Sequence, residues 1–148
     1  LFANLSNGQA THAERLSVLS QAPAEKVKAL ADELLARFGA IDVLENRTGL
    51  TMLPYTDSVK GITFYLAEVL IAEARVRLND HNTEGYAACL GRDTQQALAI
   101  ALLEAALRAN VCRAEIEAFI AEQATELAAQ DNQLLQQVET TRVNLETF

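Results

Sequence analysis

Arg75, Arg77 and Arg92, with Tyr86 and Asp93 near them in the chain, are the side chains whose types and spacing could hold an anion. Arg75 and Arg77 stand two residues apart, so on an extended strand they share one face. Arg92 stands just before a predicted helix. Guanidinium forks on neighbouring elements suit a phosphate or a carboxylate, which accepts paired N–H bonds. The same arginines can instead pair with Glu68, Glu73 or an acidic group across an interface. Tyr86 and the run Gly91-Arg92-Asp93 fall where a strand gives way to a helix, the kind of loop on which binding groups collect. Asp93 with Gln96 three residues on also fits an N-cap and capping box, a purely structural use of the carboxylate. Spacing alone identifies no pair of carboxylates poised for acid-base work.

Other chemistry is sparse. The chain has no GxGxxG, no GxxxxGK followed by Ser or Thr, no HExxH and no GxSxG, so the common phosphate, zinc and serine-nucleophile signatures are missing. His12 and His81 are the only histidines, too few for a zinc site within the chain, although His81 could join a site completed by another protein. Cys89 and Cys112 lie far apart, outside any CxxC spacing, and read as small buried thiols of a reducing compartment. No metal site is expected.

The 148 residues fit one domain with one ordinary core. No apolar run approaches the roughly 20 residues of a membrane span, so the protein is expected to be soluble. A formal net charge of −8 opposes a nucleic acid backbone, whose affinity for proteins comes largely from lysine and arginine on phosphates. Residues 1–10 lack the basic start and long apolar stretch of a secretion signal and read as a flexible N-terminal segment.

The elements that must position the arginines are legible in outline. Thr11 and Glu14 form a capping box for a helix over residues 12–20, and Pro23 opens the next. In that second helix Val27, Leu30, Ala31, Leu34, Leu35 and Phe38 make a buried stripe, closed by Gly39 in a left-handed cap. Residues 41–44 and 50–55 read as two strands joined by a tight turn at Arg47-Thr48-Gly49, with Pro54 at a sheet edge or strand end. Residues 63–78 would suit a helix by composition. Parity favours a strand, because seven of the eight even positions from Phe64 to Leu78 are apolar, with a bend or bulge at the exception, Glu68. Gly85 to Leu90 follows as a short antiparallel strand, and the alanine-rich run from Asp93 to Ala109 as a closely packed buried helix.

Residues 111–148 contain no glycine or proline and are expected to form a helical arm, of which residues 112–145 as one helix would span roughly 50 Å. Ile116, Ile120, Leu127, Leu134, Val138 and Leu145 step by four or seven along it, a thin seam interrupted by Gln123 and Thr141. Two arginines, Arg113 and Arg142, face seven carboxylates there, so the arm is acidic. A thin apolar stripe on an acidic helix suits docking onto another chain, or folding back on its own domain. The class expected is α+β: an antiparallel sheet of about four strands, two helices before it and two after, with residues 11–148 as one domain.

With these residues laid out, the chain resembles the PhnG family, small subunits of the bacterial carbon-phosphorus lyase system for phosphonate use. The resemblance runs in order through Pro23-Ala24-Glu25, Thr48-Gly49-Leu50, Phe64-Tyr65-Leu66-Ala67-Glu68, Val76-Arg77-Leu78, Gly85-Tyr86, Gly91-Arg92-Asp93 and Thr141-Arg142-Val143. Ala67 stands where the family commonly has glycine, and Asn144 to Phe148 replaces a more aromatic ending. The resemblance implies a cytoplasmic assembly with PhnH, PhnI and PhnJ chains and an ATPase-like PhnL. Its early step joins the ribose triphosphate part of ATP to a phosphonate and releases adenine, so ATP and phosphonate are substrates of the assembly and this chain needs no cofactor of its own. Within it this chain is expected to be required but non-catalytic, or a pure scaffold, with Arg142 among its docking residues and self-association possible when it is alone.

Overall fold

Thr11 opens the first helix as the sequence predicts. In the computed structural model, which describes residues 11–140, the Glu14 amide donates to the Thr11 hydroxyl at 3.3 Å and the Thr11 amide donates to the Glu14 carboxylate at 2.7 Å. This completes the capping box of α1, His12–Gln21. Pro23 is the N-cap of α2, Ala24–Leu34, which buries Val27, Ala31 and Leu34 and leads to a fully enclosed Phe38. The stripe does not hold throughout. A tighter 3-10 turn over Leu35–Arg37 turns Leu35 outward, so it is exposed rather than buried, and Leu30 is only partly covered. Gly39 takes the expected left-handed conformation, φ 74°.

Three antiparallel strands follow, in the order β1-β2-β3: β1 Ile41–Thr56, β2 Thr63–Leu78 and β3 Thr83–Leu90. The expected sheet of about four strands is corrected to three, because Arg47-Thr48-Gly49 does not turn. Arg47, Thr48 and Gly49 pair in register with Glu73, Ala72 and Ile71, and Gly49 is absent from the positive-φ positions a tight turn would need. The chain runs straight because β2 offers it an unbroken partner 16 residues long. β2 is one strand, as parity predicts. Its irregularity lies at Leu66 rather than Glu68: Leu53 pairs with Ala67 and Pro54 with Tyr65, leaving Leu66 as the extra residue opposite the imino acid. A second bulge sits at Leu44 of β1.

The inner sheet face, with Ala72, Ala74, Val76 and Leu78 of β2 and Gly85, Ala87 and Cys89 of β3, is buried against α3, Thr94–Arg108. From Gln96 to Leu107 every residue of α3 except Leu98 is buried, because α1 and α2 cover the side turned away from the sheet. A helix apolar on nearly all sides requires that two-sided burial. The final helix, α4, runs Arg113–Thr140 and packs its first half into the same core through Ile116, Ile120 and Ala124. Lys26 to Glu126 at 2.8 Å and Arg37 to Glu115 at 2.8 Å tie that half to the α2 region.

Two elements leave the core. β3 ends opposite Ile71, so β1 and β2 continue as a bare two-stranded ribbon closed by a turn in which Asp57 accepts from the amides of Val59 and Lys60. From Ala129 to Thr140 all of α4 is exposed, about 18 Å of helix at 1.5 Å per residue.

Candidate functional site

Most of the predicted binding residues meet on the outer face of the sheet, opposite α3. In register, Arg75 lies between Glu45 of β1 and Tyr86 of β3, Arg77 between Asp42 and Glu84, and Glu73 between Arg47 and Ala88. Directly opposed residues of antiparallel strands share a face, so the pairing alone assembles this cluster. Arg47 Nε donates to Glu73 Oε1 at 2.7 Å and lies 2.8 Å from Glu45 Oε1. The Tyr86 hydroxyl donates to Glu73 Oε2 at 2.9 Å. Arg77 donates to Glu84 through Nε, at 3.1 Å, and through Nη2.

These bonds set the protonation states. The hydrogen bond from Arg47, then that from Tyr86, holds the Glu73 carboxyl below the usual carboxylate range, and Arg77 does the same for Glu84. Burial and the Glu73 carboxylate push the Tyr86 phenol upward, so it stays a donor. Arg75 adds to the depression of both carboxylates, yet its own guanidinium makes no hydrogen bond or ion pair among the described residues. It is exposed, as is Arg47, but unlike Arg47 it is unpaired among the described residues.

Arg92 and Asp93 are elsewhere. The Gly91 amide bonds to the Leu70 carbonyl at 2.9 Å, at the end of β3, and six residues of extended chain separate Arg92 from Tyr86 by up to about 20 Å. The strand pairing thus brings Arg75 and Arg77 onto one face, whereas Arg92 stands between the end of β3 and the start of α3. Asp93 performs the capping role: its Oδ1 accepts from the Gln96 amide at 2.9 Å and its Oδ2 from Lys28 Nζ at 2.8 Å. The Lys28 bond, and then the Gln96 amide, lowers the Asp93 pKa. A carboxylate in this position already complements the positive end of α3 and leaves no amide cradle for a second anion. The exposed Arg92 side chain has no partner among the described residues.

The predicted docking seam divides. Ile116 and Ile120 belong to the domain's own core and Leu127 packs against it, whereas Leu134 and Val138 are exposed on the projecting end of α4. Gln123, which interrupts the seam, is itself buried. Arg142 and Leu145 lie outside the described residues. His81 is exposed in the turn between β2 and β3, and both cysteines are buried thiols.

One cluster escaped the sequence reading. Glu104, 1% exposed, receives His12 Nδ1 at 2.6 Å, with Arg108 Nε at 3.7 Å and Arg15 Nη2 at 3.8 Å. A lone carboxylate inside an apolar helical run was the available signal. A groove of 250 Å³ between α2 and α3, lined by Lys28, Asp32, Leu35, Gln95 and Leu98 among others, is small for an organic ligand. Among the described residues no group of His, Cys, Asp or Glu could hold a metal ion, and no helix is long and apolar enough to cross a membrane.

The model of a family described as phosphonate metabolism protein PhnG matches residues 10–148, nearly the whole chain. No curated protein matches it.

Proposed function

Because this chain belongs to the PhnG family of phosphonate metabolism proteins, we propose that it is a required, non-catalytic subunit of a carbon-phosphorus lyase assembly. In this reading it supports transfer of the ribose triphosphate moiety of ATP to a phosphonate, with release of adenine. One observation carries the reading: Glu45, Glu73 and Glu84 on the outer sheet face are engaged by partners in the same chain, while the face itself has no covering element among the described residues. Glu73 serves Arg47 and Tyr86, and Glu84 serves Arg77. A general acid or base has to be free to exchange its proton with substrate. An open sheet face whose three glutamates are held by its own side chains, with Arg75 left unpaired among the described residues, suits a neighbouring subunit better than a reaction.

The partners proposed are PhnH-, PhnI- and PhnJ-like chains and a PhnL-like ATPase, in the cytoplasm. ATP and phosphonate are substrates of the whole assembly; this chain holds no cofactor. Arg75 and Arg92 are the two predicted arginines left without an internal partner among the described residues, and they are the ones proposed to reach an anionic substrate or an acidic neighbour. The test is reconstitution of adenine release from ATP and a phosphonate, with and without this chain. Undiminished release in its absence eliminates a required role. Arg75→Ala and Arg92→Ala then divide direct contact from scaffolding: a subunit that only shapes the assembly keeps full turnover with both.

A further inference from the structure

Residues 109–112, which join α3 to α4, include two left-handed positions, Asn110 at φ 59° and Cys112 at φ 51°. Asn110 is explained by α3 itself. The Val111 amide donates to the Ala106 carbonyl at 2.8 Å and the Asn110 amide to the Leu107 carbonyl at 3.2 Å, a pair of bonds that closes α3, and asparagine tolerates this conformation. Cys112 has no such reason. Its carbonyl accepts from the Ile116 amide at 3.1 Å, so it opens α4 from a position that normally has extended backbone and a capping side-chain oxygen. A residue with a β-carbon is strained there.

The helix that starts on this joint is lightly held. α3 buries eleven of its 15 residues, whereas α4 buries four of 28: Ile116, Ile120, Gln123 and Ala124. One of those four is polar. Gln123 is 1% exposed, and neither its amide nitrogen nor its amide oxygen has a hydrogen-bond partner among the described residues. Its influence reaches only Glu126, whose pKa is lowered chiefly by Lys26 and least by Gln123. A buried amide left unbonded favours the state in which water can reach it. The outer ties, Lys26 to Glu126 and Arg37 to Glu115, join side chains that are 40–54% exposed, and such pairs contribute little. The other helices have ties of their own, α2 to α3 through Lys28 and Asp93 and α1 to α3 through His12 and Glu104.

We infer that α4 is a releasable helix: its docked half leaves the domain as one unit, pivoting at Cys112, while α2, α3 and the sheet keep their packing. The inference does not rest on the subunit role. Release hydrates Gln123, lets Cys112 return to an ordinary φ, and uncovers Ile116 and Ile120 with the part of α1 that packs against α4. The first two gains set the cost of opening below that of unfolding the domain.

The test is native-state hydrogen exchange of the full chain at low urea concentrations. Amides 116–126 are expected to be at least about a hundredfold less protected than amides 97–107 of α3, and to open with a smaller urea dependence, because a partial opening exposes less surface. Val76→Ala, in the buried sheet face under α3, lowers the protection of α3 about tenfold and leaves that of α4 unchanged, since release does not disturb Val76. Gln123→Leu raises protection along α4 about tenfold. Cys112→Gly and Cys112→Ala both lose the thiol, and α4 is about fivefold better protected in the glycine variant, because only glycine is at ease in the left-handed conformation. Equal protection and equal urea dependence of α3 and α4 in the unaltered chain overturn the inference, whatever the variants do. So does a joint fall of both helices in Val76→Ala, or protection that declines residue by residue across amides 116–126, which is fraying rather than release. Unchanged α4 protection in Gln123→Leu, or equal protection in the two Cys112 variants, also overturns it.

Discussion

Gly85→Ala tests the packing on which the whole layer arrangement rests. Gly85 lies on β3 under α3, and a Cβ added there would stand 2.1 Å from the Ala101 carbonyl oxygen, 2.6 Å from the Ala105 amide nitrogen and 2.9 Å from Ala105 Cβ. Ordinary contact begins at 3.4 Å, so α3 has to withdraw by more than an ångström or the strand has to buckle. Two of the three atoms are backbone, which cannot rotate aside. Overpacking a core by one methyl typically costs about 1–3 kcal/mol, and a gap of about 0.5–1 Å forfeits roughly a quarter to a half of each contact along the separated layer. Because α3 has eleven buried residues, a cost of about 3 kcal/mol or more is expected. With a urea slope of about 2 kcal/mol/M for a domain of this size, the unfolding midpoint falls by about 1.5 M. Gly49→Ala is the control: nothing lies within 4 Å of its added Cβ, and a gain of up to about 1 kcal/mol is expected from the stiffer unfolded chain. Ala105→Gly in the Gly85→Ala background removes one contact and leaves both backbone clashes, so it should not rescue. A midpoint drop no larger than about 0.5 M, or full rescue by Ala105→Gly, refutes the reasoning.

Asp93→Asn keeps the capping oxygen but loses the charge that Lys28 stabilises. Because the folded pKa of Asp93 is depressed, its contribution is present above its unfolded value near 3.8 and is lost as pH falls through the lower folded value. The variant should therefore show a flatter acid limb in thermal melts between neutral pH and pH about 3. Asp93→Ala removes the cap as well, at a cost of about 1–2 kcal/mol in urea unfolding. His12→Ala takes the 2.6 Å partner from the buried Glu104 carboxylate and should destabilise by about 1–3 kcal/mol, whereas Glu104→Gln in the same background recovers part of that loss. Burial raises the pKa of both Cys89 and Cys112, so alkylation of the native chain should be slow and should accelerate at the urea midpoint; rapid labelling below it would contradict their placement.

Local signals carried the sequence reading well where one element decides its own shape. The capping box at Thr11, the glycine stop at Gly39, the strand that parity assigns to residues 63–78 and the wrap-around apolarity of α3 each depend on neighbours in the chain, and each appears in the structure. Features that depend on a distant partner were not legible. Arg47-Thr48-Gly49 has the composition of a turn, and only the unbroken length of β2 keeps it extended. Leu35 fits the α2 stripe by spacing, and the 3-10 turn that rotates it outward answers to the path into β1. Arg75 and Arg77 share a strand face as their spacing implies, but spacing could not show that Glu84 closes Arg77 or that Glu73 is shared by Arg47 and Tyr86. Gly85 was conspicuous in the sequence for its company with Tyr86, and its physical reason is the proximity of the Ala101 carbonyl across the layer.

The distribution of polar groups separates what this fold needs for itself from what it holds out to others. Between the helices, the charges serve the fold: the buried Glu104 binds α3 to α1 through His12, Asp93 fixes the start of α3 to α2 through Lys28, and the more exposed Glu115 and Glu126 hold α4 to the α2 region. None of them is free to act on a substrate without loosening a helix contact. Outside, the pattern inverts. The ribbon and the projecting end of α4 extend apolar residues beyond any contact of the core, and an isolated two-stranded ribbon is marginally stable in water at best. The outer sheet face adds a charged patch in which Arg75 lacks a counterpart among the described residues. The charges between helices thus hold the fold together, while the apolar ribbon and the charged outer sheet face remain exposed, and it is this division on which the proposed subunit role rests.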